Sequence, residues 1–126
     1  MEAVVIAGVA RRVLDELLKN PYRTIELRSA KNVIGVEKAL SEALKLFLTY
    51  DPFEDVRVGT EGLLAEPVEV KEIETRIPWR ESDEREVTVC RVKVRLLGFG
   101  RISGIERGEI IRAEVREFRL HEANMG

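Results

Sequence analysis

Apolar residues at the start of the chain follow two periods, one typical of buried strands and one typical of amphipathic helices. Residues 3–7 form a continuous apolar run that Gly8 ends, which indicates a buried strand; a helix starting near Glu2 fits the same spacing. Residues 9–19 carry apolar side chains every three or four positions, which predicts a helix with one apolar face. The chain therefore begins with a strand followed by a helix.

A second strand and a longer helix are predicted next. Residues 24–27 are strand-like, and Ser29 or Asn32 can cap the following helix, because either side chain accepts a hydrogen bond from a free backbone N–H. From Val36 to Phe47 the apolar positions keep helical spacing, and the prediction ends this helix before Pro52. The first 52 residues thus predict two successive strand–helix units.

The second half predicts strands. Residues 51–67 form an irregular acidic connection, with a short strand at residues 56–58 as an alternative. Residues 68–77 alternate between apolar and polar, but the phase changes between Val70 and Ile73, as a β-bulge would cause. A polar hairpin loop at residues 78–86 leads into a regularly alternating strand at residues 87–97. Four glycines then break the pattern, and residues 109–120 favour a final strand over a helix.

This order of elements predicts an α+β fold. Two early helices interleaved with strands, then a hairpin, give the order β-α-β-α-β-β of a two-layer sandwich, followed by one extra strand. The 126 residues are the size of one domain, with the acidic connection at residues 51–67 and an extension at residues 99–126.

Composition narrows the class of protein. The chain has no glutamine, three asparagines and 35% charged residues, a balance that indicates a heat-adapted source. Its single cysteine excludes an intramolecular disulfide and a cysteine zinc cluster, which favours a reduced, cytoplasmic setting. No apolar run approaches the roughly 20 residues of a membrane span, and Glu2 stands where a signal peptide carries positive charge.

The net charge of −2 conceals an uneven distribution along the chain. Residues 51–86 contain 5 basic and 12 acidic side chains, a balance of −7, whereas residues 1–50 carry +2 and residues 87–126 carry +3. An anionic ligand responds to the local field more than to the total charge, so basic sites outside the middle segment stay candidates for binding.

Several segments together resemble one family. They are Ile6-Ala7-Gly8 with Arg11 and Arg12 beyond it, Arg28 and Lys31 in the next turn, Lys38-Ala39 in the second helix, a strand at residues 68–74, a hairpin at residues 78–86 and a strand at residues 87–96. In this order they resemble the Alba superfamily, small archaeal chromatin and RNA-binding proteins. The resemblance covers residues 3–97.

The resemblance implies a homodimeric, non-enzymatic protein without a cofactor that binds DNA or RNA through phosphate contacts. It places Arg11, Arg12, Arg28 and Lys31 along the body of the site, and Arg80 and Arg85 on the hairpin. The alternative hypothesis is an oligomeric protein-interaction module of similar fold that has lost nucleic-acid binding. The acidic balance of residues 51–86 supports that alternative.

Further basic residues lie on predicted strands. Arg91, Lys93 and Arg95 share one strand face, because successive side chains alternate faces, and Arg112 and Arg116 do the same on the last strand. Neighbouring basic faces would follow a phosphate backbone. The competing interpretation is a solvated sheet face whose charges pair across strands, with Glu72, Glu74 and Glu114 as partners.

The remaining candidates carry little chemistry. Trp79 lies at the hairpin tip, where it would stack on a base or pack back on the sheet. Cys90 falls on the apolar phase of its strand, which predicts a buried core residue, and His121 lies near the C-terminus. The pattern contains no phosphate-binding glycine motif, no metal-ligand cluster and no carboxylate pair of catalytic spacing.

Overall fold

The computed structural model describes residues 1–76 and 87–118 of the chain, which form two helices and one mixed six-stranded sheet. In chain order the elements are β1 (Glu2–Ile6), α1 (Arg11–Lys19), β2 (Tyr22–Leu27), α2 (Ala30–Glu42), β3 (Lys45–Leu48), a short 3₁₀ turn (Phe53–Asp55), β4 (Glu61–Arg76), β5 (Val87–Arg107) and β6 (Ile111–Phe118). The predicted α+β class is confirmed.

The sheet curls until it closes on itself. Its strand order is β2-β5-β4-β3-β1-β6, and β6 also pairs with β5. Only β1 and β3 run parallel, whereas the other pairs are antiparallel. The first part of β5 pairs with β2 and its last part pairs with β6, so β1, β3, β4, β5 and β6 form a ring. The described strands therefore build a five-stranded barrel with β2 attached outside it.

Side chains from all five ring strands fill the barrel. They are Ala3 and Val5 of β1, Phe47 of β3, Leu64 of β4, Ile102 of β5, and Ile111, Ala113 and Val115 of β6, joined by Ala7 and Val56. Phe47 is the largest of them and is fully buried. Gly62 and Gly100 face each other across β4 and β5, where a Cβ atom would meet neighbouring atoms at 2.3 Å and 2.5 Å. The narrow interior thus combines one large aromatic ring with two glycines.

The helices cover the outer face of the same strands. Because side chains alternate along a strand, Val4, Ile6, Leu46 and Leu48 point away from the barrel and pack with Val36 of α2 in a second core. This alternation explains why β1 and β3 read as continuous apolar runs: both of their faces are buried.

Asn32 ties α2 to the end of β1. Its side-chain oxygen accepts a hydrogen bond from the Ala7 N–H at 3.3 Å, and its side-chain nitrogen donates to the Ala7 carbonyl at 2.9 Å. Asn32 itself is 7% exposed, so water does not compete effectively for these groups. Ser29, and not Asn32, caps the helix, because its hydroxyl accepts from the Asn32 N–H. Both candidate cap residues are therefore used, in different roles.

The predicted second helix is too long, because β3 follows it directly. The helix ends at Glu42, and Ala43 takes a left-handed conformation with φ of 55°. Leu44 and Phe47 keep helical spacing, yet residues Lys45–Leu48 are extended between β1 and β4. Burial of Leu46, Phe47 and Leu48 outweighs the local helical pattern, which adds one strand to the predicted order.

Two other strand boundaries differ from prediction. β4 begins at Glu61, inside the predicted connection, and the alternative strand at residues 56–58 does not form. β5 continues to Arg107 through glycines that were expected to end it. The extension predicted as a separate segment after residue 98 therefore belongs to the barrel, and the sheet closes instead of remaining one open layer.

The other predicted elements agree with the structure. The first element is a strand, Glu2–Ile6, and not a helix. The helix α1 and the strand β2 lie where they were predicted, and Ile111–Phe118 forms the predicted final strand. The predicted bulge lies between Val70 and Glu72, as one of three register shifts along β4 and β5. The predicted hairpin loop at residues 78–86 lies outside the described residues.

Replacing Gly62 by alanine is expected to destabilise the fold. The new Cβ would lie 2.3 Å from the Leu48 carbonyl oxygen and 2.9 Å from the Phe47 ring, so backbone must shift. We expect the free energy of unfolding to fall by about 2 kcal/mol or more in urea denaturation. Gly104→Ala is the matched control, because a Cβ there meets only the Glu114 Cβ at 3.7 Å. Equal stability of the two variants would contradict the close approach of β3 and β4.

Removing the Asn32 tether is also expected to destabilise the protein. Asn32→Ala leaves a buried N–H and a buried C=O of Ala7 without partners, at a cost on the order of 3 kcal/mol in the free energy of unfolding. Asn32→Asp preserves the shape but cannot donate to the Ala7 carbonyl, so it should be destabilising too. Asn20→Ala, at the exposed end of α1, should change stability by less than about 0.5 kcal/mol. Thermal and urea unfolding of all three variants measure the difference.

Candidate functional site

A cleft of about 550 Å³ opens between the β1–α1 connection and the β2–α2 connection. The Asn32 tether joins these two connections, because it binds the last residues of the β1 segment from the first turn of α2. The lining residues are Ala7, Gly8, Val9, Ala10, Arg12, Val13, Glu26, Leu27, Arg28, Ser29, Lys31, Asn32, Pro52 and Phe53. They include three basic side chains and one acidic side chain.

The start of α1 forms one wall of the cleft. Gly8 turns the chain there with φ of +65°, a conformation that glycine adopts without strain. Ala10 occupies the N-cap position without a side-chain cap, and the first turn holds Arg11 and Arg12 but no acidic residue. Positive side chains at the positive end of a helix are unfavourable, so an anion near Arg12 would stabilise this arrangement.

Arg28 and Glu26 lie on the opposite wall. One oxygen of the Glu26 carboxylate accepts a hydrogen bond from Arg28 Nε at 3.0 Å and lies 2.8 Å from a second guanidinium nitrogen of Arg28, and the other oxygen lies 3.7 Å from Arg91. Glu26 thus neutralises part of the positive charge of the cleft. The Arg28 side chain nevertheless remains 74% exposed, so it is accessible to a ligand.

Lys31 and Phe53 close the third side. The Lys31 ammonium lies 3.8 Å from the centroid of the Phe53 ring, a cation–π contact. The backbone around Phe53 is held by Arg107, whose guanidinium donates to the carbonyls of Phe53 and Val56. Arg107 at the end of β5 therefore positions an aromatic ring beside the basic residues.

The structure brings together only part of the predicted body site. Arg12, Arg28 and Lys31 line one cleft, as the hypothesis required, and no carboxylate in residues 1–76 or 87–118 pairs with Arg12 or Lys31. Arg11 lies on the other side of α1, over the Tyr50 ring at 4.6 Å, and does not join them. Arg80, Arg85 and Trp79 lie outside the described residues.

The basic face of β5 is engaged within the sheet. Arg91 contacts Glu26, Arg95 forms an ion pair with Glu66 at 3.1 Å, and Lys93 lies over the Tyr22 ring at 4.5 Å. The flanking strands supply these partners, because β2 and β4 run on either side of this part of β5. Pairing across strands, the competing interpretation, describes this face better than a phosphate track does.

The last strand does not extend that face. β6 pairs with the far end of β5, where Arg112 lies opposite Glu106 and Arg116 lies opposite Arg101. Arg112 forms ion pairs with Glu42 at 2.7 Å and with Glu2 at 3.6 Å. Its hydrogen bond to Glu42 lowers the pKa of the Glu42 carboxyl. The predicted joint basic surface of the two strands is therefore not formed.

Cys90 is a core residue, as predicted. It is fully buried among the side chains between sheet and helices, and this burial raises the pKa of its thiol, as does the negative charge of Glu37. Because the thiolate is the nucleophile, both effects oppose reactivity.

His121 lies outside the described residues, and the described residues contain no cluster of His, Cys, Asp and Glu that would hold a metal ion. None of the described helices is long and apolar enough to cross a membrane.

Three residues of the cleft carry roles that the pattern did not predict. Asn32 was considered only as a cap, Glu26 was not considered, and Phe53 falls in a connection read as irregular. Phe53 follows Pro52 within an acidic segment, and an isolated aromatic residue there is a weak signal. The role of Asn32 depends on a contact between segments distant in sequence, whereas Glu26 contacts both Arg28, two residues away, and Arg91 on another strand.

The fold is similar to that of a domain of known structure. The N-terminal domain of the Lon protease of the Mycobacterium avium complex superposes with a TM-score of 0.57 and 16% identity, covering 94% of this chain and 55% of that chain. A Lon N-terminal domain protein from Xanthomonas campestris gives a TM-score of 0.47 at 13% identity, covering 93% and 59%. At this identity the first similarity concerns the fold alone.

The resemblance to the Alba superfamily is wrong. Its pattern of strand, helix, strand and helix is present, but the chain then adds β3 and closes a barrel, and the similar structure is a Lon N-terminal domain. The sequence family that matches is also a different one. Local periodicity is shared by many α+β folds, whereas pairing between distant strands separates them.

A family model identifies the family, and an archaeal protein is similar to the chain. The uncharacterized protein MJ0105 of Methanocaldococcus jannaschii is 30% identical over 101 residues, which are 80% of this chain and 64% of that protein. The chain thus spans less than two thirds of this relative's length. A family model described as "Protein of unknown function (DUF473)" matches residues 1–115, and the chain belongs to that family.

Proposed function

We propose that this protein is a non-enzymatic nucleic-acid-binding protein that holds the phosphate backbone of a single strand in the cleft between α1 and α2. The observation that carries the proposal is that Arg12, at the start of α1, shares one cleft with Arg28 and Lys31, around the start of α2. RNA and DNA strands share the phosphate and base chemistry that such a cleft would contact.

Charge supports the proposal. The cleft is lined by three basic residues and one carboxylate, although the chain as a whole carries −2. Glu26 is already engaged by Arg28 and Arg91, so the remaining positive charge of the cleft belongs to Arg12 and Lys31. A concentrated local charge in a concave site attracts anions even when the net charge does not.

The start of α1 supports it as well. Backbone N–H groups in the first turn of a helix have no partner within the helix, and Ala10 supplies no side-chain cap. Phosphate oxygens accept hydrogen bonds from such groups and interact favourably with the positive end of the helix. The guanidinium of Arg12 would add charge-assisted hydrogen bonds to the same phosphate.

The ring of Phe53 favours a single strand over a duplex. Bases of a single strand are free to stack on an exposed aromatic ring, whereas paired bases present only their edges. Phe53 is partly exposed on the cleft wall, and Arg107 fixes the backbone that carries it. A phosphate that draws the Lys31 ammonium off the Phe53 ring frees that face for a base, so phosphates at the basic residues and a base at Phe53 fit one short segment of strand.

Binding to labelled oligonucleotides tests the proposal. We expect the anisotropy of a labelled 12-nucleotide single-stranded RNA or DNA to rise with protein concentration, and duplexes of the same length to bind more weakly. Because Glu26 neutralises Arg28, two uncompensated contacts, from Arg12 and Lys31, should give a slope of log affinity against log salt of about −1.4. Arg12→Gln/Lys31→Gln should reduce the magnitude of that slope by about 1.4.

The matched control removes the same charge elsewhere. Lys19→Gln/Arg116→Gln deletes two exposed basic residues that do not line the cleft, and its salt slope should equal that of the wild type. An equal decrease of the salt slope in both double variants would indicate non-specific electrostatic attraction. Absence of binding at low salt for every oligonucleotide would contradict the proposal and favour a protein-interaction module. Light scattering on the same samples tests the predicted homodimer.

Replacing Glu26 by glutamine should strengthen binding. The Glu26 carboxylate competes with a phosphate for Arg28, so its neutralisation frees that guanidinium and removes a repulsive charge. We expect a several-fold higher affinity at low salt and a salt slope steeper by about 0.7, measured in the same titration. Glu16→Gln is the control, because Glu16 pairs with Arg23 at 3.1 Å and does not line the cleft. A weaker complex with Glu26→Gln would exclude this competition.

A further inference from the structure

A second concave surface lies on the other side of α1. This groove has a volume of about 370 Å³ and runs between α1, the ends of β3, β4 and β6, and the middle of β5. Its apolar lining includes Leu14, Leu18, Tyr50, Leu63, Phe99 and Phe118. None of these residues belongs to the basic cleft.

The floor and walls of the groove are apolar. Phe99 and Phe118 pack against each other with ring centroids 5.9 Å apart, and Leu63 is buried beneath the groove. Leu18 and Tyr50, at its margin, are 44% and 52% exposed. Large apolar side chains gathered at a concave surface mark a site where another molecule would be bound, whereas apolar side chains that are exposed singly are ordinary on protein surfaces.

The rim of the groove is acidic. Asp15 on α1 and Asp51 after β3 come from the two sides of the groove, and neither carboxylate forms an ion pair within the described residues. Glu61 is neutralised by Arg101 at 2.7 Å, and the guanidinium of Arg11 lies over the Tyr50 ring. Within the described residues the two unpaired carboxylates therefore outnumber the single positive charge of Arg11, which its contact with the Tyr50 ring does not neutralise.

We propose that this groove binds a short, extended segment of another protein chain that carries leucine-like side chains with lysine or arginine beside them. The apolar walls would take the aliphatic side chains, and Asp15 and Asp51 would pair with the basic ones. The volume suits two or three side chains of a peptide and is too small for a packed domain. This occupant is a polypeptide and differs from the nucleic acid proposed for the cleft.

The carboxylates at the rim of the groove favour a segment that carries basic side chains over a purely apolar segment. A purely apolar segment would leave the carboxylates of Asp15 and Asp51 partly desolvated without a partner, which is unfavourable. An acidic segment would be repelled by both. A segment with a positive charge on either side of an apolar residue satisfies the walls and the rim together.

Fluorescence anisotropy with labelled heptapeptides tests the proposal on the full chain. The probes are an alternating leucine–lysine peptide, a leucine–glutamate peptide and a glycine–lysine peptide. We expect the first to bind at least tenfold more tightly than either of the others at 150 mM salt. Leu18→Ser and Asp15→Asn/Asp51→Asn should each weaken its binding at least fivefold.

Two control variants make the result specific. Glu37→Gln/Glu109→Gln removes two exposed carboxylates that do not line the groove, and Arg12→Gln/Lys31→Gln alters only the basic cleft; both should bind the leucine–lysine peptide as the wild type does. Circular dichroism shows whether each variant folds. Equal binding of all three peptides, or binding insensitive to Leu18 and to the two aspartates, would overturn the proposal.

The chain's own last residues are the competing occupant. A chain that ends after Phe118 should bind the leucine–lysine peptide with the affinity of the full chain. Binding that appears only after this truncation would overturn the proposal and assign the groove to residues 119–126. Concentration-dependent association that the peptide displaces would instead assign it to a second copy of the chain, and would overturn it as well.

Discussion

Four residues, Lys45–Leu48, hold the two halves of this fold together. β3 pairs in parallel with β1 and antiparallel with β4, so it is the only described link between the first strand and the long β4–β5 pair on that side. Phe47 fills the barrel while Leu46 and Leu48 pack under the helices, and all three are fully buried. Both cores therefore depend on one short strand. The left-handed turn at Ala43, directly after the last residue of α2, directs the chain into that position.

The same dependence explains what the amino-acid pattern predicted and what it did not. α1, β2, the bulge after Val70 and the strand character of β6 follow from local periodicity, and the structure contains them. β3 was assigned to a helix, because Leu44 and Phe47 are spaced as helical residues are. Only its pairing with β1, about 40 residues earlier in the chain, distinguishes the two possibilities. The glycines at 98 and 100 were predicted to break the strand, because the local sequence does not show which atoms pack around them. In the structure β5 continues through both, and Gly100 is required because a side chain there would not fit in the filled barrel interior.

Residues that are neighbours in sequence do not always share a surface, as the candidate site residues show. Arg11 and Arg12 are neighbours, and a pattern groups them naturally, but successive residues of a helix point in directions about 100° apart. Arg12 consequently lines the basic cleft, whereas Arg11 lies over Tyr50 at the apolar groove. Arg28 and Lys31, which are distant from Arg12 in sequence, join it because Asn32 ties the start of α2 to Ala7. One buried amide therefore decides which of the predicted basic residues share a surface.

The helix α1 separates two concave surfaces of opposite character. The cleft on one side has an excess of basic groups, and the groove on the other has apolar walls and two carboxylates that form no ion pair within residues 1–76 and 87–118. A nearly neutral chain can thus present a positive and a negative site without either being cancelled. The two sites lie within about one helix diameter, roughly 10 Å, which is close to the Debye length at physiological salt. An anion in the cleft would therefore lower the potential at the groove only weakly, and a cationic segment in the groove would affect the cleft as little. Opposite charges on the two sides of one helix let ligands of opposite sign bind at the same time.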